Sequence, residues 1–186
     1  MDKLKNVDFI GTQLINGLAG SVPFLDALMI GISAAGIPLL VFAVICHWWV
    51  KTDRQNTRHV AVSAGLAFFL GLAFNQIILL FVDRARPYVA EVSTLLTAPS
   101  LDPSFPSDHA TAAFAIVMTF AFSGMPRRAF WFGVAALVVA FSRVYIGTHY
   151  VSDVVGGMVT GALAAAIIPS LYLKGTRLDR FITSIL

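Results

Sequence analysis

Ser142 to Asp153 reads S-R-V-Y-I-G-T-H-Y-V-S-D and gathers a hydroxyl, a guanidinium, an imidazole and a carboxylate into one short stretch. His149 and Asp153 are four residues apart, so at the start of a helix they share a face. A carboxylate in that place holds one imidazole nitrogen and leaves the other directed outward as nucleophile or base. Arg143 stands six residues before His149, across a turn containing Gly147, and offers a planar fork of donors suited to phosphate oxygens. A lone histidine at a membrane edge reads as an interfacial side chain; with Arg143 before it and Asp153 after it, phosphate chemistry is the better reading.

Two further clusters carry matching chemistry. Pro106-Ser107-Asp108-His109 precedes an apolar run, with Ser107 placed to cap the helix that follows. Free N–H groups and the dipole at a helix start favour an anion, and His109 in that first turn can donate a proton to a leaving oxygen. Asp108 adds negative charge beside this anion site, so it is expected to turn away or to pair with an arginine. Arg86-Pro87 is a weaker signal that gains value from its position on the same side of the chain's layout.

The elements that must bring these clusters together are apolar helices. With 58% hydrophobic and 12% charged residues among 186, the chain is too apolar for an ordinary soluble domain. The expected fold is all-α, a polytopic membrane helix bundle of about five transmembrane helices plus an N-terminal interfacial helix, forming one domain over 1–186. Cationic residues are dispersed over loops, which argues against a nucleic-acid surface. The single cysteine, Cys46, has no partner for an intrachain disulfide. Asp2, Asn6 and Asp8 interrupt any apolar core of a cleaved signal peptide, so none is expected.

In chain order, 4–18 has apolar residues at helical spacing, including Val7, Ile10, Leu14 and Leu18, and suits a helix lying in the interface. Spans are expected over 25–49, 59–82, 107–122, 129–146 and 150–173. Asn75 and Gln76 in the second span are expected to hydrogen-bond neighbouring helices. The loop 83–106 is expected to serve the site, with a short surface helix at 92–96. Lys51, Arg54, Arg58, Arg127, Arg128, Lys174, Arg177 and Arg180 fall on one side of this layout, against Lys3, Lys5, Arg84, Arg86 and Arg143 on the other. The positive-inside rule therefore puts the N-terminus and all three clusters outside and the tail inside. In a bacterial inner membrane the outer face is periplasmic or extracellular.

Together these residues resemble the type-2 phosphatidic acid phosphatase superfamily, whose pattern is K-x6-R-P, P-S-G-H and S-R-x5-H-x3-D. The third part is complete at Ser142, Arg143, His149 and Asp153, the second has Asp108 in place of glycine, and the first keeps Arg86-Pro87 but has Leu79 at the lysine position. The resemblance implies that His149 attacks phosphorus and becomes phosphohistidine, with Asp153 orienting it. It also implies that His109 protonates the leaving group and activates water, while Arg86, Arg143 and Ser107 hold the phosphoryl oxygens. No metal or other cofactor is implied. Arg84 is the nearest replacement for the missing lysine, since two residues before Arg86 on an extended segment it would point the same way. The F-P-S-D-H and R-A-R-P forms look most like bacterial undecaprenyl pyrophosphate phosphatases, so the expected partner is a polyprenyl diphosphate or another phosphorylated lipid in the bilayer. Phosphatidylglycerophosphate or phosphatidate is the alternative substrate. A transporter or proton relay would spread polar groups through the depth of several spans, whereas here they concentrate at one face.

Overall fold

A computed structural model describes residues 3–185. Its helices are α1 (Lys3–Asn16), α2 (Pro23–Cys46, prolonged by a 3₁₀ turn His47–Trp49), α3 (Arg54–Leu79), α4 (Asp108–Phe122), α5 (Pro126–Tyr145), α6 (Val151–Leu171) and α7 (Arg177–Ser184). The protein is a multi-pass membrane helix bundle, and among the described residues no strand is formed. Pro23–Trp49, α3, α5 and α6 are long and apolar enough to cross a bilayer. α4, expected as a further span, has 15 residues that rise only about 22 Å and is shorter than these four.

α4 is the axis of the bundle, packed against α3, α5 and α6. Its apolar side chains are small near the start and larger toward the end: Ala110 and Ala113 are fully buried, as is Phe120. Close approach to α6 depends on Gly157 and Gly161, four residues apart on one face. A Cβ on Gly157 would lie 2.5 Å from the Ser107 carbonyl oxygen, and one on Gly161 2.5 Å from that of Thr111. Small residues at this spacing let two backbones touch in a membrane, where burial of apolar surface supplies no driving force between helices.

The last turn of α3, the start of α4, the end of α5 and the start of α6 meet at one end of the bundle. The opposite end is tied by Arg58 Nη1 donating to the Thr183 carbonyl at 2.8 Å and Arg128 Nη1 donating to Thr57 Oγ1 at 3.1 Å. α1 lies against α5 and α6 at the first end. It exposes Val7, Ile10 and Leu14, as expected of an interfacial helix.

Residues 83–107 fold over that same end. The short helix expected at 92–96 is not formed, because the backbone groups there bond elsewhere. Thr94 N–H donates to Asn16 Oδ1 at 2.7 Å, Asn16 Nδ2 donates to the Thr94 carbonyl at 2.9 Å, and Leu96 N–H donates to the Ile146 carbonyl at 3.1 Å. The tail, which carried no structural expectation, forms the amphipathic helix α7. Its N-cap is Thr176, whose hydroxyl accepts from Asp179 N–H.

Candidate active site

The cavity at this end measures about 250 Å³ and is lined by Arg86, Arg143, His109 and His149 together with Gln76, Leu79, Asp102, Pro103, Pro106 and Asp108. The two histidines and two of the three expected phosphate-binding arginines thus come from four different segments and share one space.

His149 sits between α5 and α6. The turn that delivers it needs Gly147 at φ 81°, and a Cβ there would collide with the Thr94 carbonyl. The Nδ1 atom of His149 is 2.8 Å from the Ser104 carbonyl oxygen. A carbonyl only accepts, so Nδ1 carries the hydrogen and Nε2 carries the free lone pair. Asp153 Oδ2 lies 3.6 Å from the same Nδ1, close enough for charge attraction but too long for a hydrogen bond. Asp153 is instead occupied on both oxygens: Oδ2 accepts from Tyr150 N–H at 2.8 Å and Oδ1 from Arg84 Nη1 at 2.6 Å. The carboxylate therefore caps α6 while standing beside the imidazole. Burial pushes the His149 ring below its ordinary pKa, Asp153 pulls it back, and Arg143 and Arg86 depress it further, with the net shift downward.

Arg86 is fixed by Nε donating to the Asp102 carbonyl at 2.9 Å and Nη1 donating to that of Thr148 at 3.0 Å. Arg143 rises from the last turn of α5, and its Nη1 donates to Ser33 Oγ of α2. His109 lies beside the Ser33 backbone. No motif pointed to Ser33, a single hydroxyl in an apolar span, yet it steadies one of the cavity's cations. Nor could any motif have found the Ser104 carbonyl, which is a backbone group.

Three expectations are corrected here. Ser107 precedes α4 but makes no side-chain cap; its N–H donates to the Asp153 carbonyl at 3.0 Å. Its hydroxyl and Arg143 Nε are buried polar atoms without a hydrogen-bond partner among the described residues. Asp108 does not turn away: it lines the cavity within charge range of Arg143, the pairing half of the expectation, while its Oδ1 accepts from Asn75 Nδ2 at 2.6 Å. Asn75 also donates to Thr111 Oγ1 at 2.9 Å, the interhelical role expected of it. Arg84 is absent from the cavity lining, because the 82–86 segment turns its guanidinium toward α1 and α6.

Residues 60–177 match the PAP2 superfamily, well over half of the chain. The chain belongs to the PAP2 superfamily. Among curated relatives of this PAP2 protein, the undecaprenyl-diphosphatase BcrC of Bacillus subtilis is 34% identical over 90% of this chain and 83% of its own. The putative undecaprenyl-diphosphatase YbjG of Escherichia coli is 30% identical over 86% of this chain and 80% of its own. The fold is also that of a transmembrane PAP2-type phosphatidylglycerolphosphate phosphatase from Bacillus subtilis, with a TM-score of 0.70 at 23% identity, covering 95% of this chain and 90% of that one. PAP2 membership and these relatives make the protein a lipid phosphatase.

Proposed function

We propose that this phosphatase removes the terminal phosphate of a polyprenyl diphosphate such as undecaprenyl diphosphate, at the outer face of a bacterial plasma membrane. The observation that supports the site assignment is Arg143 Nε, a buried donor without a hydrogen-bond partner among the described residues, on a side chain that lines the cavity with both histidines; Ser107 Oγ, likewise unpartnered, lies between the lining residues Pro106 and Asp108. A buried polar group without a partner costs about 1–3 kcal/mol. Phosphoryl oxygens satisfy such donors, and the N–H groups opening α4 add to the cradle. The substrate class follows from the relatives at 34% and 30% identity. The outer-face placement follows from the distribution of cationic residues.

In this reading, His149 Nε2 attacks the terminal phosphorus while Nδ1–H stays on the Ser104 carbonyl. The bond from phosphorus to the bridging oxygen breaks, and His109 gives that oxygen its proton, releasing polyprenyl monophosphate. His109 then takes a proton from water, which attacks the phosphohistidine to free His149 and inorganic phosphate. Arg86 and Arg143 neutralise charge on the equatorial oxygens throughout, most strongly as it builds toward the transition state.

The test is phosphate release by the purified protein from undecaprenyl diphosphate, phosphatidylglycerophosphate and phosphatidate, each with and without a chelator, alongside His149→Ala. The expected result is preference for the diphosphate, indifference to the chelator, and loss of at least about a thousandfold in the variant. Activity retained in His149→Ala would remove the nucleophile, preference for either glycerolipid would replace the substrate, and loss with chelator would replace the metal-free chemistry.

A further inference from the structure

Arg84 was expected on phosphate, but its contacts are all on the far side of Asp153. Its Nη1 donates to Asp153 Oδ1 at 2.6 Å and to Ser152 Oγ at 2.7 Å, and its Nη2 donates to Asp8 Oδ2 at 2.6 Å. Its guanidinium carbon stands 3.9 Å from the centre of the Tyr150 ring, and Tyr150 stacks on Phe9 of α1 at 5.5 Å. Asp8 completes the arrangement: Oδ1 accepts from Ser152 N–H at 2.9 Å and Oδ2 from the Ser152 hydroxyl at 2.6 Å. An unbroken row of opposite charges runs from Asp8 through Arg84 to Asp153 and ends beside His149. Asp8 lies outside residues 60–177, so the family match does not reach the first member of the row.

The chemistry of the row follows from burial. The Asp153 side chain is 0% exposed, and a carboxylate in such a place needs a cationic partner. If Arg84 did not supply one, Asp153 would satisfy itself by drawing a proton onto His149, which would fill the lone pair needed for attack. With Oδ1 on Arg84 and Oδ2 on Tyr150 N–H, the carboxylate is also held in rotation, at its 3.6 Å distance from Nδ1.

We propose that Arg84 and Asp8 are positioning residues for the nucleophile: Arg84 compensates and orients Asp153, and Asp8, carried on the interfacial helix α1, holds Arg84 on it. The inference rests on the reading of His149 as the nucleophile. It places a helix that lies in the lipid surface two ion pairs away from the reacting imidazole.

The charged and titratable groups around His149 and Asp153 come from every neighbouring element. They are Arg86 and Asp102 from the 80–107 segment, His109 and Asp108 from α4, and Arg143 from α5, with Arg84, Asp8, Lys5, Asp83 and Tyr150 on the other side. Among the described residues, only Arg84 and Asp8 reach Asp153 through direct ion pairs in series.

The experiment compares pH profiles of kcat/KM and separate kcat and KM values for the full-length protein, Arg84→Gln, Arg84→Lys, Asp8→Asn and the double variant Asp8→Asn with Arg84→Gln. All are measured in the same phospholipid vesicles on undecaprenyl diphosphate. Arg84→Gln should lower kcat about tenfold or more with KM little changed, and should move the acid limb up by about half a pH unit, because Asp153 then acts uncompensated. Asp8→Asn should move the limb the opposite way, since Arg84 then acts on Asp153 alone. The double variant should be no worse than Arg84→Gln. Arg84→Lys keeps the charge but cannot bridge two carboxylates, so it should keep the limb and lose rate; it also serves if Arg84→Gln does not fold. A raised KM with kcat intact would put Arg84 on phosphate and overturn the proposal. So would acid limbs that stay still or move together, or additive losses in the double variant. An inactive parent protein, or an active His149→Ala, would instead overturn the nucleophile reading and take this proposal with it.

Discussion

His149 owes its tautomer to the Ser104 carbonyl and its neutrality to burial and two arginines, with Asp153 opposing them. The sign of the pH dependence follows. A ring whose folded pKa lies below the ordinary value of about 6.5 stays unprotonated through that value as pH falls. The acid limb of kcat/KM is therefore expected below pH 6.5, and a limb at or above it would contradict the environment described. Asp153→Asn removes the group that raises the pKa, so its limb should move further down while kcat falls. The residue types and spacing of His149, His109, Arg143 and Arg86 were legible because imidazole and guanidinium have few uses at the edge of an apolar chain. Ser104 and Ser33 were not, since one acts through its backbone and the other is a lone hydroxyl among apolar neighbours. Arg84 was misplaced because alternation along an extended strand was assumed for a segment that turns, so its partners are Asp8 and Asp153 rather than the cavity.

At the scale of elements, the site depends on the contact between α4 and α6, which carry His109 and Asp153. Gly161→Val drives a branched side chain into the α4 backbone near Thr111 and Ala115, and is expected to cost about 1–3 kcal/mol or to splay the pair. Melting temperature in detergent reads this directly. Gly65→Ala makes the matching control, since nothing lies within 4 Å of its added Cβ; an equal loss there would remove the close-packing argument. The five helices expected as spans were legible from hydropathy to within a few residues at each end, but α4 is shorter than the four that are long enough to cross. What hydropathy could not read was the 83–107 segment, where Asn16 and Ile146 claim the backbone bonds that a 92–96 helix would have used. The missing cap at Ser107 has a similar cause: the dipeptide Pro106-Ser107 marks the helix start correctly, but tertiary contact with Asp153 positions the residue and leaves its hydroxyl unused.

At the scale of the molecule, an amphipathic helix lies at each end of the bundle. α7 is fastened by Asp179, a fully buried carboxylate that accepts from Tyr172 Oη at 2.7 Å, Gly175 N–H at 2.7 Å and His59 Nδ1 at 2.8 Å. Burial pushes the Asp179 pKa up, but these bonds outweigh it and leave it below the ordinary carboxylate value. Its contribution to stability is thus present above about pH 4 and is lost as pH falls through the lower folded value. Proteolysis of the tail in vesicles should stay slow at pH 5 and accelerate only below about 4, whereas Asp179→Ala should be cleaved readily at neutral pH. Equal protection of the variant would show that α7 is held by its apolar face alone. The shortness of α4 sets it apart from the helices packed around it. At about 22 Å it falls short of a hydrocarbon layer of about 30 Å, so the polar groups at its start depend for their walls on the longer helices α3, α5 and α6 that flank it.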